Sequence, residues 1–159
     1  MGRRHRRSGE GDLAPTEGSF TRLLVDTVTP LRHTINPSTV KRRVLVIEDD
    51  PTVRRLIVES LSDSGIDVLA AMDGTHALRS ALAVPPSVVV LDLGLPEMDG
   101  ADFVERWRSR HPAAKDVPIV VVSGRDDAPA IATKLGAARL FRKPFVVEEL
   151  VHEVSRALI

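Results

Sequence analysis

The sequence of 159 residues predicts an α/β fold, a doubly wound sheet of five parallel strands with helices on both faces. From residue 44 onward, short apolar segments alternate five times with helical patterns, the (βα)5 order typical of a parallel sheet. Three of these segments are continuous apolar runs, as strands buried on both faces must be. They are VLVI (44–47), VVVL (88–91) and PIVVV (118–122). The other two segments are weaker and suit the edges, so right-handed crossovers give the strand order 2-1-3-4-5.

The first strand ends on three consecutive acids, Glu48, Asp49 and Asp50, and a helix follows. Pro51 suits the first turn of that helix, and Gly65 is placed to end it. Apolar residues recur between them at helical spacing. They are Val53, Leu56, Ile57 and Leu61. This pattern predicts the first βα unit.

The second βα unit begins with a strand pattern that is less continuously apolar than the first. IDVLAA (66–71) contains an acid, Asp67, which an edge strand tolerates better than a central one. Asp73 can cap the following helix, and Pro85-Pro86 closes it. The apolar face of this helix consists of Ala77, Leu78, Ala81 and Leu82.

The third strand leads into the most informative stretch, DLGLPEMDG (92–100). Asp92 stops the apolar run at the carboxyl end of a central strand, where open α/β sheets bind their ligands. Asp92 could instead cap the next helix. However, Asp99 stands nearer the apolar face of that helix, Phe103 and Trp107, and is the better cap. We therefore favour a functional role for Asp92.

The last two βα units also end their strands on polar residues. The fourth strand ends on the hydroxyl of Ser123, and a helix over residues 126–135 is stopped by Gly136. The fifth strand is short and runs into Lys143-Pro144. A final amphipathic helix is predicted from Val147, Leu150, Val151, Val154 and Leu158.

Composition excludes several kinds of protein. The chain has no cysteine, which excludes disulfides and thiolate metal sites. No apolar run approaches the roughly 20 residues of a membrane span. The basic amino terminus is not followed by an apolar stretch, so it is not a secretory signal. We therefore expect a cytoplasmic protein with no membrane span.

Residues 1–41 are predicted to be a disordered basic extension and linker before an ordered domain at 42–159. Residues 1–43 contain nine Lys or Arg and four Asp or Glu, whereas the remainder contains thirteen and eighteen. A short amphipathic turn of helix is expected before Pro30, and a linker at Asn36-Pro37-Ser38. The arginines near the amino terminus lack interleaved aromatic residues, which favours a solvated tail over nucleic-acid contact.

The predicted topology brings polar side chains to one crevice at the carboxyl ends of the strands. Glu48, Asp49 and Asp92 would meet there and repel one another unless a cation is present. Carboxylate oxygens without His or Cys favour Mg²⁺ as that cation. Ser123 and Lys143 would add a hydrogen-bond donor and a positive charge, which suit phosphoryl oxygens. The set indicates phosphoryl transfer onto a carboxylate.

Four motifs at the strand ends together resemble the receiver domain of bacterial response regulators. They are the acidic pair after the first strand, VVVLDLGLPEMDG after the third, VVVSG after the fourth and FRKPF after the fifth. The resemblance covers residues 42–159 and implies a flavodoxin-like fold. It also implies a phosphorylation-dependent signalling module of a two-component or phosphorelay system. Such a module accepts a phosphoryl group from a sensor histidine kinase or a phosphotransfer protein, and it assists its own phosphorylation and dephosphorylation without being an enzyme.

Carried over by position, the resemblance implies a role for each crevice residue. The residues are Asp92 as phosphoacceptor, Glu48 and Asp49 as the acidic pair, Gly94 as a Mg²⁺ ligand through its backbone carbonyl, Ser123 as the hydroxyl switch and Lys143 as the phosphate-binding lysine. Asp50 falls one place beyond the acidic pair. The Lys143–Pro144 peptide bond is expected to be cis.

The sequence also departs from the family pattern. Many receivers have an aromatic switch residue three places before the lysine, where this chain has Leu140. Phe141 is next along and should point to the opposite side of its strand. Gly94 and Arg125 occupy the places that tune loss of the phosphoryl group, and neither readily orients an attacking water. The usual aromatic coupling is therefore not expected.

Two other functions compete with this one. An Mg²⁺-dependent aspartyl-phosphate phosphatase would usually place a second acid at Gly94 and carry a cap domain. A receiver-like binding module that is never phosphorylated would not need the complete set of crevice residues. Because the chain stops one helix after Lys143, it resembles a single-domain regulator acting on an unnamed downstream protein. The resemblance is also compatible with a weak dimer through the fourth helix, fifth strand and fifth helix.

Overall fold

The computed structural model describes residues 42–159 and has the predicted topology. Its five strands form one parallel sheet in the order 2-1-3-4-5, so the two weaker strands lie at the edges as predicted. The strands are β1 (Arg43–Ile47), β2 (Asp67–Ala71), β3 (Val88–Asp92), β4 (Ile119–Ser123) and β5 (Arg139–Arg142). The extension, helical turn and linker expected before residue 42 lie outside the described residues.

One helix follows each strand. The helices are α1 (Pro51–Asp63), α2 (Gly74–Ala83), α3 (Gly100–Arg110), α4 (Ala128–Leu135) and α5 (Val147–Ala157). The carboxylates of Asp50, Asp73 and Asp99 accept backbone N–H groups at the starts of α1, α2 and α3. Asp99 is thus the cap of α3, as predicted. A short 3-10 turn at Pro112–Asp116, which the sequence pattern does not indicate, connects α3 to β4.

The sheet separates two apolar cores, because alternate strand residues point to opposite faces. On one face, Leu45, Val89 and Val121 pack against α2, α3 and α4. On the other face, Val46 and Val90 pack against α1 and α5. The continuous apolar strands are therefore explained by burial on both sides. No helix in residues 42–159 is long and apolar enough to cross a membrane.

The β3–α3 connection fixes the end of the central strand. A Cβ atom on Gly100 would lie 2.5 Å from the backbone oxygen of Asp92, so a residue with a side chain cannot occupy this position without movement of the backbone. The backbone N–H of Gly100 also donates to the carbonyl of Leu93 at 3.2 Å. Glu97, in the same connection, has a φ of 62°, in the left-handed region that non-glycine residues seldom adopt. The loop is thus held tightly against the carboxyl end of β3.

Candidate functional site

Asp92 is the last residue of β3, and its side chain is held by two hydrogen bonds. Only 5% of the residue is exposed. Oδ1 accepts the backbone N–H of Gly94 at 2.9 Å, and Oδ2 accepts from Nζ of Lys143 at 2.9 Å. Both bonds fix the orientation of the carboxylate. Asp92 is therefore oriented by the loop that directly follows it and by Lys143, which follows β5.

Glu48 and Asp49 lie beside Asp92. One carboxylate oxygen of each of the three residues lies within 4.8 Å of the others, close enough to share one cation. Glu48 is 1% exposed, whereas Asp49 is open to solvent. Asp50 faces away from this acidic cluster, which we define as Glu48, Asp49 and Asp92. Its Oδ1 accepts from the backbone N–H groups of Thr52 and Val53, and these two bonds lower its pKa.

The burial of Glu48 has a strong electrostatic effect. Removal from water raises the pKa of Glu48 to about 7, and the nearby charge of Asp92 adds to this, although contact with Lys143 opposes it. Oε2 of Glu48 lies 2.8 Å from Nζ of Lys143. However, Oε2 has no aligned hydrogen bond within residues 42–159, so we describe this contact as an ion pair. Oε2 thus already faces one cation, and a carboxylate oxygen in this setting is the kind of ligand that a hard divalent metal ion also prefers.

Lys143 follows β5 and extends between Glu48 and Asp92. Burial alone would lower the pKa of its ammonium group, but the contacts with these two carboxylates outweigh burial and raise it. Its backbone N–H donates to the carbonyl of Ser123 at 3.1 Å. The Lys143–Pro144 peptide bond is cis, as expected. Lys143 is thus a fixed cation at the edge of the acidic cluster.

Ser123 ends β4 and is fully buried. Its Oγ accepts the backbone N–H of Arg125 at 3.2 Å, and this is its one side-chain hydrogen bond within the described part of the chain. The hydroxyl is therefore at the correct edge of the sheet but is not bonded to Asp92. The other predicted residues converge directly, whereas Ser123 is held by the loop that follows it.

The β4–α4 loop contains an ion-pair network that the sequence pattern does not reveal. The guanidinium of Arg125 contacts Oδ2 of Asp99 and, through two hydrogen bonds of 2.8 and 2.7 Å, both oxygens of Asp127. These contacts raise the pKa of Arg125 and lower that of Asp127. On the far side of the loop, Arg142 donates to the carbonyl of Arg125. Arg125 therefore connects the loops that follow β3 and β4.

Leu140 and Phe141 point to opposite faces of the sheet, as predicted. Leu140 is half-buried against the core shared by α3 and α4. Phe141 lies in the other core and packs against Phe145, with 6.4 Å between ring centroids. No aromatic ring thus occupies the position of the usual switch residue.

The arrangement combines an oriented carboxylate, two further acids and a lysine at one edge of the sheet. Such a site can hold a hard divalent cation through oxygen ligands and can compensate the charge of a phosphoryl group with the lysine. The chain has no cysteine, and within residues 42–159 the group of potential metal ligands at this site contains no histidine. The chemistry available is therefore that of a carboxylate.

Comparison with known proteins agrees with this geometry. Residues 44–155 match the family model described as the response regulator receiver domain. The transcriptional regulatory protein PrrA of Mycobacterium tuberculosis is 39% identical over 118 residues, which cover 73% of this chain and 49% of PrrA. The transcriptional regulatory protein KdpE of the same species is 38% identical over 117 residues, covering 72% and 50%. The chain spans about half the length of these curated relatives.

Solved structures extend the likeness to the fold. A putative response regulator from Chloroflexus aurantiacus superposes with a TM-score of 0.67 and 31% identity, covering 74% of this chain and 97% of that one. The chemotaxis protein CheY4 of Vibrio cholerae gives a TM-score of 0.66 and 28% identity, covering 72% and 97%. Receiver domains are the phosphoacceptor modules of two-component systems and generally bind Mg²⁺ at an acidic pocket, which here corresponds to the acidic cluster. Since the family model alone matches well over half of the sequence, the chain belongs to the response regulator receiver domain family.

Proposed function

We propose that Asp92 accepts a phosphoryl group from a sensor histidine kinase or a phosphotransfer protein, with Mg²⁺, and that the change alters a partner-binding surface. One observation carries the proposal: Asp92 is 5% exposed and oriented, and it lies within 2.9 Å of the Lys143 ammonium and within the acidic cluster. A buried carboxylate beside two other acids has little structural purpose at the end of a strand. Its environment is suited to a nucleophile whose product carries more negative charge.

The acidic cluster fits a magnesium ion by the chemistry of its donors. Glu48, Asp49 and Asp92 offer hard oxygens, and the buried Oε2 of Glu48 has no aligned hydrogen bond. The backbone carbonyl of Gly94 would complete the protein ligands. When bound, the ion supplies positive charge that offsets the repulsion among the carboxylates and the phosphoryl oxygens. These residues would therefore hold the ion, and Asp92 would be the one that forms the bond to phosphorus.

A carboxylate oxygen of Asp92 forms a P–O bond as the P–N bond of a phosphohistidine donor breaks, and that electron pair stays on the imidazole nitrogen. Lys143 would then pair with phosphoryl oxygens in place of the free carboxylate, and Ser123 would donate its hydroxyl hydrogen to one of them. Loss of the phosphoryl group requires water to attack phosphorus, with the P–O bond to Asp92 breaking. Gly94 and Arg125 offer no group that readily orients this water.

Two surfaces suit the partners of such a module. Large apolar side chains are exposed around the crevice at Leu56, Met72 and Val146, by 46, 57 and 54%. They would contact a phosphoryl donor that must bring its histidine to Asp92. For output, we propose the face formed by α4, β5 and α5. It carries Arg139 together with Glu148 and Glu149, all exposed, and charges of both signs on one face also suit a weak two-fold dimer.

Phosphorylation with a small donor tests the proposal. Incubation with acetyl phosphate and Mg²⁺ should add one phosphoryl mass to the wild type, stable in acid and removed by hydroxylamine. Asp92→Asn should gain none. Asp50→Asn is the matched control, because Asn also caps helices and Asp50 lies outside the acidic cluster, and this variant should be labelled like the wild type. Equal labelling of Asp92→Asn would refute Asp92 as the acceptor, and an unlabelled wild type would favour a binding module that is never phosphorylated.

A further inference from the structure

We infer that Arg125 is a latch: its ion pair with Asp99 ties the β4–α4 loop to the start of α3 and holds Ser123 away from Asp92, so that phosphorylation must work against it. The inference rests on the proposed function of Asp92. It makes Arg125 a positioning residue, because its guanidinium acts on the loop and not on the phosphoryl group.

The contacts of the guanidinium connect two separate loops. One nitrogen, Nη1, contacts Oδ2 of Asp99, 26 residues earlier in the chain. The other two nitrogens form the paired hydrogen bonds to Asp127 within the same loop. Side-chain exposure is 37% for Arg125 and 36% for Asp99, so the pair is only partly screened by solvent. Arg125 can therefore bind both loops at once, which requires the planar fork of an arginine.

The backbone of Arg125 transmits this restraint to Ser123. The N–H of Arg125 donates to Oγ of Ser123 at 3.2 Å, and the carbonyl of Arg125 accepts from Arg142 of β5. A second contact from Arg142, 3.5 Å from a carboxylate oxygen of Asp126, holds the same loop. Oγ accepts in this bond, so the hydroxyl hydrogen remains available to a phosphoryl oxygen, and Ser123 can approach Asp92 while the bond is kept only if the loop moves with it. That movement of the loop disturbs the contacts of the guanidinium.

The contacts of Arg125 also leave the start of α4 without a side-chain cap. Asp127 occupies the capping position of α4 but makes no side-chain hydrogen bond to the helix, in contrast to the caps of α1, α2 and α3. Its two carboxylate oxygens are bound by Arg125 instead. If Arg125 releases Asp127, a change of the Asp127 backbone from its helical conformation, with φ −83° and ψ 0°, would allow the carboxylate to cap α4. The loop would then have a second bonding arrangement, as a switching element requires.

Two substitutions, one at each end of the Arg125–Asp99 ion pair, should break the latch with little effect on the rest of the structure. Arg125→Gln removes the charge, and Asp99→Asn removes the partner charge while keeping an amide oxygen that can still cap α3. Each should strengthen the binding of beryllofluoride with Mg²⁺ by about three- to fivefold, the range expected for a partly exposed ion pair. The double variant should bind no more tightly than either single one. The affinity of Arg125→Lys for beryllofluoride should lie between those of the wild type and Arg125→Gln. As a control, Arg156→Gln breaks an ion pair on α5 and should bind beryllofluoride as tightly as the wild type.

Two further measurements separate a latch from a general loss of structure. Raising the salt concentration should strengthen beryllofluoride binding to the wild type more than to Arg125→Gln, because salt weakens the pair. Without any phosphoryl mimic, the amide of residue 125 should exchange with solvent faster in Asp99→Asn than in the wild type. Unchanged or weaker beryllofluoride binding by Arg125→Gln and Asp99→Asn would refute the latch alone. If the wild type neither binds beryllofluoride nor becomes labelled at Asp92, both the proposed function and the latch are refuted.

Discussion

The substitution Glu48→Gln tests the electrostatics of the acidic cluster through protein stability. Glu48 is 1% exposed, and its pKa is raised from 4.5 to about 7, first because of burial. A raised carboxyl pKa means that the folded state holds its proton more tightly than the unfolded state. The contribution of Glu48 to stability is therefore fully present below pH 4.5 and is lost as the pH rises through about 7.

The size of this loss follows from the interval between the two pKa values. At about 1.4 kcal/mol per pH unit, the wild type should lose about 3 kcal/mol of unfolding free energy from Glu48 between pH 4.5 and pH 8. Glutamine has the same shape and does not titrate. The difference in unfolding free energy between Glu48→Gln and the wild type should thus shift by about this amount in favour of the variant as the pH rises.

Urea unfolding in EDTA, followed through the fluorescence of Trp107, measures this difference. Trp107 is the one tryptophan of the chain, and it lies on the buried face of α3, fully enclosed in the core. Adding Mg²⁺ at pH 8 should stabilise the wild type more than the variant, since only the wild type retains all three carboxylates. If the unfolding free energies of the two proteins change in parallel from pH 4.5 to pH 8, then Lys143 fully compensates the buried charge of Glu48, and this prediction is refuted.

Other consequences of the geometry can be measured directly. Asp49→Ala should weaken Mg²⁺ binding at least tenfold and Asp50→Ala by less than twofold, because only Asp49 belongs to the acidic cluster. Isothermal titration measures both affinities, and the reverse order would contradict the assignment of Asp49 to the cluster. Gly100→Ala should lower the unfolding free energy by about 2 kcal/mol, because its Cβ would lie 2.5 Å from the backbone oxygen of Asp92. Urea unfolding measures this loss, Ala101→Gly in the same turn of α3 controls for helix propensity, and an unchanged midpoint for Gly100→Ala would mean that the loop yields easily.

Much of the fold could be predicted from the sequence because its signals are local. The apolar runs that end at Asp92 and Ser123 can only be central strands, and turn residues such as Pro51 and Gly136 mark the ends of helices. The carboxyl ends of parallel strands meet at one edge, so the topology alone brings the acids together. Asp50 was set apart from the acidic pair by the family resemblance, in which it falls one place beyond that pair, and the structure shows that it caps α1.

The network around Arg125 could not be predicted in the same way. The chain contains 22 basic and 22 acidic side chains, and nothing in their spacing selects Asp99 as the partner of Arg125. The two residues meet only because the β3–α3 and β4–α4 loops leave neighbouring strands. Likewise, the buried position of Glu48 beside Lys143 depends on how far each side chain extends into the crevice. Long-range polar contacts of this kind follow from the completed fold.

The absence of an aromatic switch changes which part of the site can carry a signal. In the family pattern an aromatic ring turns inward as the hydroxyl residue moves. Leu140 can repack, but it is already half-buried and changes its buried area little, so it contributes little to the free-energy difference between two states. The ion pairs of Arg125 and the start of α4, which lacks a side-chain cap, remain as the elements for which we infer a second arrangement. We therefore expect the effect of a phosphoryl group at Asp92 to reach α4 through the β4–α4 loop, with its size set by the balance between the latch and the cap of α4.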